Sequence, residues 1–255
     1  MRDIAPGELV RVKHGVFESE QAVPPAKPSL CVFEFVYFAR PDSVLYDCTV
    51  YEARRRQGLA LSKTAPVEAD LVIGVPDSGI PGAVGYAQAG GIPFGEGLVK
   101  NRYVGRTFIS PTQSLRQQGI RLKLNPLRHI IAGKRLVVVD DSIVRGNTSK
   151  KLVQLLRDVG ATEVHMRLTS PPVVWPCFYG IDTDTQDQLI ASSHTVDQIA
   201  EFIGADSVAF LSLEDLVAST GRPAEEFCTA CFSGEYPIDV PDPVRRGKLS
   251  LEQAT

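Results

Sequence analysis

The sequence predicts an α/β domain, a mostly parallel twisted sheet flanked by helices. Three observations predict it. Two continuous apolar runs, DLVIGVP (70–76) and KRLVVVD (134–140), have the length of buried parallel strands and lack the alternation of half-solvated ones. Helical patterns follow them, IPGAVGYAQAG (80–90) and NTSKKLVQLLRDVG (147–160), which is the spacing of strand–helix–strand units. Both helical patterns end in glycine, a common helix stop.

The other elements follow in chain order. Pro6-Gly7 marks a turn, and LVRVK (9–13) alternates like a half-buried strand. AVPPAKPS (22–29), with three prolines, reads as a linker. CVFEFVYFA (31–39) is an apolar, β-prone run, and VYEARRRQGLALS (50–62) suits a helix with a basic face. Residues 92–99 and EVHMRLTS (163–170) read as further strands. Residues 100–133 are long, basic and poor in periodicity; a loop of that length is usually functional or disordered. The expected division is a small piece over 1–28, the α/β domain over 29–240 and a tail over 241–255.

Composition excludes several classes. A formal net charge of −3 gives no reason to expect nucleic acid as a bulk partner. No apolar run reaches membrane-spanning length and none resembles a signal peptide, so a cytoplasmic location without membrane partners is expected. The five cysteines are Cys31, Cys48, Cys177, Cys228 and Cys231. In a reducing cytosol, thiol chemistry or metal ligation is the first expectation rather than disulfides. Cys228-Thr-Ala-Cys231 is a CxxC pair; on spacing alone, zinc, an iron–sulfur cluster and no metal all remain open. The four histidines show no ligand spacing.

The sharpest motif is RLVVVDDSIVRGNTSKKL (135–152). A buried strand delivers Asp140 and Asp141 to its carboxyl end, where ligands of open α/β sheets bind. The loop Ser142, Ile143, Val144, Arg145, Gly146, Asn147, Thr148 and Ser149 then feeds a helix N-terminus. Backbone N–H groups and the helix dipole there suit a phosphate, and paired carboxylates offer hard oxygens to hydroxyls and Mg²⁺. An isolated acid pair also reads as an ordinary strand end; the whole string is more specific. LVIGVPDSG (71–79) is a second strand-to-helix junction, with Asp77, Ser78 and Gly79 at its turn. Alone it reads as a plain turn. KNRYVGRTFISPTQSLR (100–116) places Lys100, Arg102 and Arg106, with Tyr103, in one glycine-containing segment. Such cations suit a leaving pyrophosphate and a water-excluding lid, although a solvated basic loop reads the same way.

The 135–152 string resembles the signature of type I phosphoribosyltransferases, which bind 5-phosphoribosyl-1-pyrophosphate (PRPP). In that family the two acids hold the ribose diol and the metal, and the loop holds the 5-phosphate. Together with KNRYVGRTFI and CFYGID (177–182), it resembles the glutamine PRPP amidotransferase family, over about residues 2–238. The resemblance implies a type I phosphoribosyltransferase fold with a long active-site lid. It implies formation of phosphoribosylamine and pyrophosphate from PRPP and ammonia, at the opening of purine biosynthesis. Implied site residues are Lys100, Arg102, Tyr103 and Arg106 for catalysis, and Asp77, Ser78, Gly79 and residues 140–149 for PRPP. Ser78, Asp140 and Asp141 would hold Mg²⁺. A subgroup of the family also carries a [4Fe–4S] cluster on four cysteines, a pattern that Cys31, Cys177, Cys228 and Cys231 match and Cys48 does not. Implied partners are a glutaminase domain or subunit, purine nucleotides as inhibitors, and copies of the chain itself.

In the family, a glutaminase domain with an N-terminal cysteine nucleophile precedes the transferase; here Met1 is followed by Arg2. RDIAPGELVRVKHGV (2–16) resembles the last hairpin of such a domain. The expectation is a fragment, a truncated product or one part of a split enzyme, using ammonia only. Rival readings are a non-catalytic PRPP sensor, a nucleobase salvage enzyme and an inactive remnant.

Overall fold

A computed structural model describes residues 4–101, 124–181 and 185–240. The chain opens with an antiparallel hairpin of β1 (Glu8–Lys13) and β2 (Val16–Gln21), in register from Glu8 opposite Gln21 to Lys13 opposite Val16. LVRVK therefore forms a strand, but not a half-buried one. All of β2 is exposed and β1 is nearly so, because the two-stranded ribbon has no layer packed on either face among the described residues.

The apolar run 31–39 departs from its β-prone composition. Only Leu30–Cys31 is extended (β3); Glu34–Phe38 coils into a single π-helical turn. That turn sends Val32, Phe35 and Val36 into the core together, which an alternating strand cannot do. A short ribbon of β4 (Val44–Leu45) and β5 (Cys48–Thr49) then leads into helix α1 (Val50–Thr64). The expected basic face of α1 is divided. Arg55 and Arg56 pair with Glu52 near the surface, at 2.9 and 3.1 Å, whereas Arg54 is buried.

Strand β6 (Leu71–Gly74) leads to α2 (Ile80–Gly90). Helices α1 and α2 meet where a Cβ on Gly58 would lie 1.9 Å from the Gly82 carbonyl, so only glycine permits this approach. Residues 92–99 were expected as one strand. Instead Phe94 makes a single bridge to Val72, and Leu98–Lys100 (β7) pairs antiparallel with Leu124–Pro126 (β8). Pro93 lacks an N–H and two glycines flank Glu96, which interrupts the ladder. A short helix α3 (Arg128–Ile131) precedes β9 (Arg135–Asp140), α4 (Asn147–Asp158) and β10 (Glu163–Leu168). Helix α5 (Val196–Ile203), β11 (Ser207–Phe210) and α6 (Leu213–Thr220) follow, then β12 (Phe227–Cys228) and α7 (Ala230–Ser233).

The central sheet runs β11-β10-β9-β6 and every pairing in it is parallel. Its faces feed two cores. Val137 and Val139 join Tyr86, Ala83 and Leu61 on one side. Leu136 and Val138 join Leu152, Leu156 and Ile199 on the other. This two-sided burial is why the strands read as continuous apolar runs.

Candidate active site

Two strand-to-helix junctions lie side by side at the carboxyl edge of the sheet. Val75 N–H donates to the Val139 carbonyl at 2.9 Å, which fixes the β6 turn against the end of β9. Gly79 is the tight point, since a Cβ there would lie 2.3 Å from the Val139 carbonyl. The Ser78 hydroxyl crosses between junctions and donates to Asp141 Oδ2 at 2.6 Å. Ser142 donates to Asp141 Oδ1, also at 2.6 Å, and Asp140 Oδ1 accepts the Asp141 N–H at 2.9 Å. On the outer side of the turn, Lys100 Nζ lies 2.5 Å from Asp77 Oδ2. The structure thus brings Asp77, Ser78, Gly79, Lys100, Asp140, Asp141 and Ser142 into one neighbourhood.

The 142–149 loop is built to offer backbone. Ile143 is buried in one core and Val144 packs against the other. Gly146 turns the chain at φ 75° into the N-terminus of α4, a left-handed conformation that side chains disfavour. Space is short as well, because a Cβ there would lie 3.0 Å from Ile190 and from Phe202. Asn147 and Thr148 are exposed on the first turn of α4, while Ser149 is buried. The first-turn amides and the dipole of α4 make this a place for a phosphate.

The acids are held in a low-dielectric edge. Burial, and then the neighbouring Asp141, push the Asp140 carboxyl well above the usual carboxylate range. Burial also raises Asp141, against the opposing hydroxyls of Ser142 and Ser78 and the positive field of Arg54. Two adjacent carboxyls that resist joint ionisation favour a cation between them. Arg54 was missed in the sequence. The available signal was its place on the face of α1 that also carries Val50, Ala53, Gly58 and Leu61, all buried. Arg102, Tyr103 and Arg106 lie outside the described residues.

The cysteines form a second neighbourhood. Strands β3 and β12 pair in parallel with Cys31 opposite Cys228. Val174 and Trp175 N–H groups both donate to the Cys231 carbonyl, which ties the segment before Cys177 to α7. Burial pushes the Cys31 thiol up to about 11, with Cys228 and Cys177 adding to it. Burial raises Cys231 further, with Cys31, Cys228 and Cys177 all contributing, and burial raises Cys228. Cys48 stands apart, buried beside Val50 and Ala53. Cys31, Cys177 and Cys228 line a cavity of about 2110 Å³ together with Tyr179 and Tyr236. Among the described residues, no three His, Cys, Asp or Glu groups are disposed around a single metal ion.

A phosphoribosyl transferase domain family model matches residues 58–168, from the middle of α1 to the end of β10. The amidophosphoribosyltransferase of Synechococcus elongatus is 59% identical over 255 residues, 100% of this chain and 52% of that protein. That of Synechocystis is also 59% identical, with the same coverage.

The chain belongs to the amidophosphoribosyltransferase family.

It spans about half the length of the curated relatives it matches. A solved structure of glutamine PRPP amidotransferase from Bacillus subtilis, complexed with ADP and GMP, is 50% identical and superposes with a TM-score of 0.84. The match covers 95% of this chain and 54% of that one. The four-stranded parallel sheet with its two strand-end loops is accordingly the type I phosphoribosyltransferase fold of this family. Arg54 and all five cysteines fall outside the residues matched by the general domain model.

Proposed function

We propose that this chain displaces pyrophosphate from PRPP with ammonia, giving 5-phosphoribosylamine for purine synthesis. The observation that carries the reading is the Ser78–Asp141 hydrogen bond of 2.6 Å, which joins the two junctions into one cleft floor. Asp140 and Asp141 face the ribose diol. Residues 142–149 take the 5-phosphate on backbone amides. Asp77, Ser78 and Gly79 form the pyrophosphate turn, with Lys100 beside it. The ammonia lone pair forms the C1–N bond as the C1–O bond breaks; the bonding pair leaves with pyrophosphate, and nitrogen loses a proton to solvent. Neutral ammonia needs no strong general base. Arg102, Tyr103 and Arg106 are proposed to cover the cleft and answer the growing charge on pyrophosphate.

The acid pair fits Mg²⁺, because two adjacent carboxyls, with the Ser78 hydroxyl joining the junctions, form a hard oxygen set that has no salt-bridged cation among the described residues. Asp140, Asp141 and Ser78 would hold it, and when bound it supplies Lewis-acid neutralisation of the leaving group. The cysteine neighbourhood fits a [4Fe–4S] cluster on Cys31, Cys177, Cys228 and Cys231. Its support is that Cys228 and Cys177 add to the rise of both Cys31 and Cys231, which draws the thiols of three segments into one neighbourhood. A cubane presents a separate iron to each cysteine, so the sulfurs need not converge on a single ion. Residues 1–28 are proposed to belong with a glutaminase partner, and residues 29–240 to be the transferase unit. Purine nucleotides as inhibitors, self-association and a cytoplasmic location complete the proposal.

The test is pyrophosphate release from PRPP, Mg²⁺ and a high concentration of ammonium salt. Release that needs all three supports the reading; PRPP binding without release supports a sensor instead. Anaerobic purification should yield about four irons per chain, with sulfide. Stoichiometric zinc, or no metal, would remove the cluster from the proposal.

A further inference from the structure

The 142–149 loop is supported by residues far along the chain. Gly146 makes its left-handed turn against two side chains: a Cβ added there would lie 3.0 Å from Ile190 Cδ1, 3.0 Å from Phe202 Cε1 and 3.2 Å from Phe202 Cδ1. Ile190 opens a short turn, Ile190–Ser192, and its N–H donates to the Val144 carbonyl at 2.9 Å. Phe202 lies near the end of α5, partly buried on the core that holds Ile143 and Ile190. Both residues lie beyond residue 168, where the match to the phosphoribosyl transferase domain model ends. The loop and its support therefore come from separate parts of the chain.

The same ring carries a cation. Lys150 Nζ lies 4.6 Å from the centroid of Phe202, and the His194 ring lies 6.5 Å from it. Lys150 closes the first turn of α4, where its N–H donates to the Gly146 carbonyl at 2.9 Å. That turn has no acidic residue. A cation at a helix N-terminus opposes the macrodipole, so Lys150 is poorly placed for the helix and well placed for an anion at its start. Backbone amides hold a phosphate tightly only if they already converge, because ordering them during binding is subtracted from the affinity.

We infer that Phe202 is a positioning residue for the 5-phosphate end of the PRPP site: its ring seats the Gly146 turn and mounts the Lys150 cation beside the helix start. This rests on the proposed PRPP-binding role of the 142–149 loop. Phe202 does not touch substrate and acts through the loop amides and Lys150. Its effect is confined to the 5-phosphate end, because the 77–79 turn is fixed separately against the end of β9.

The experiment uses two probes that separate the ends of the site, each measured calorimetrically with Mg²⁺ on the full chain. Ribose 5-phosphate carries the 5-phosphate alone, and inorganic pyrophosphate reports the other end. Phe202→Leu keeps apolar bulk but loses the flat ring. It should weaken ribose 5-phosphate by on the order of tenfold and leave pyrophosphate within about twofold of wild type. Phe202→Tyr keeps the ring and should stay within about threefold for ribose 5-phosphate. Lys150→Met should weaken ribose 5-phosphate by about threefold alone and add nothing to Phe202→Leu, because the ring that mounts the lysine is already gone. Equal weakening of both probes by Phe202→Leu would overturn the inference, since general loosening gives that result. Unchanged ribose 5-phosphate binding by Phe202→Leu, or a loss of about tenfold in folded Phe202→Tyr, would overturn it too. If Phe202→Leu does not fold, Lys150→Met decides the matter, and an unaltered affinity for ribose 5-phosphate overturns the inference. Wild-type protein that binds neither ribose 5-phosphate nor PRPP would sink the proposed function and this inference together. Normal wild-type binding with any of the overturning results sinks only the inference.

Discussion

At the carboxyl edge of the sheet, Asp141 receives hydroxyl donors on both oxygens and lies in the field of a buried arginine. In the cysteine pocket, burial raises Cys31 and Cys231, Cys228 and Cys177 add to both, and among the described residues no cation opposes it. Both regions bury acidic groups, but Asp141 is met by two hydroxyls and a positive field, whereas Cys31 and Cys231 are met by backbone and by other thiols. The difference teaches what each awaits. A partnered carboxylate is already oriented and needs a ligand to complete it. Thiols raised by burial must lose protons before they can ligate anything, so the proposed cluster would be coupled to pH and to assembly. Construction differs as well. The acid edge comes from two adjacent junctions, whereas the thiols come from β3, the segment after β10, and the β12–α7 turn.

The largest expected effect tests the partnered region. Asp141→Asn should lower kcat/KM for PRPP by at least about a hundredfold, the scale of losing one preorganised electrostatic contact. The fold should survive, because Asn still accepts from Ser78 or Ser142. Steady-state ammonia-dependent assays with circular dichroism check both parts, and an unchanged kcat/KM would break the assigned chemistry.

The second effect concerns the cysteine region. In metal-free protein, Cys31 should alkylate slowly at pH 8, and its rate should rise roughly tenfold per pH unit until the thiol ionises near its pKa of about 11. A small-molecule thiol levels off near its own pKa of about 8.5. Mass-spectrometric rates across pH decide this, and a plateau for Cys31 below pH 9 would mean that a cation does reach the pocket.

Gly146→Ala comes third. It should cost about 1–2 kcal/mol for the left-handed backbone, before any cost of displacing Ile190 or Phe202. Urea unfolding measures it, and PRPP affinity should fall in parallel if the loop amides hold phosphate. Neutral behaviour in both would show that the loop adapts.

The smallest effect sharpens the electrostatic contrast. Asp140 has a folded-state pKa raised above its unfolded one, so its contribution to stability is full below the unfolded pKa and is lost as pH rises through the folded pKa. Asp140→Asn keeps an acceptor for the Asp141 N–H and removes that loss. The ligand-free variant should therefore melt higher than wild type, with a gain that grows from pH 5 to pH 8. A gain that shrinks with pH would reverse the assigned direction.

Much of this was legible in the linear sequence, for local reasons. Asp140 to Ser149 are contiguous, so one string specifies strand, turn and helix start, and the structure places them as read. The 92–99 segment was less legible, because Pro93 and the glycines around Glu96 weaken a pattern that apolar residues alone seemed to support. The 31–39 run is less legible still. Its composition is β-prone, but its burial is that of a turn clasped by Arg54, and that clasp crosses 15 to 20 residues of sequence.

The linear chain carries the α/β class and the strand, acid pair and helix start of 135–152; the setting apart of Cys48 came from the family resemblance instead. The class and that string depend on neighbours in the chain, where periodicity and loop composition act directly. Only the folded structure shows that Ser78 reaches Asp141, that Cys31 stands opposite Cys228, and that one of three consecutive arginines is buried against the 34–39 turn. The physical reason is the same in each case. A hydrogen bond, a strand register and a buried charge all depend on which surfaces meet, and the glycine contact between α1 and α2 that sets the position of Arg54 has no local signature in the chain.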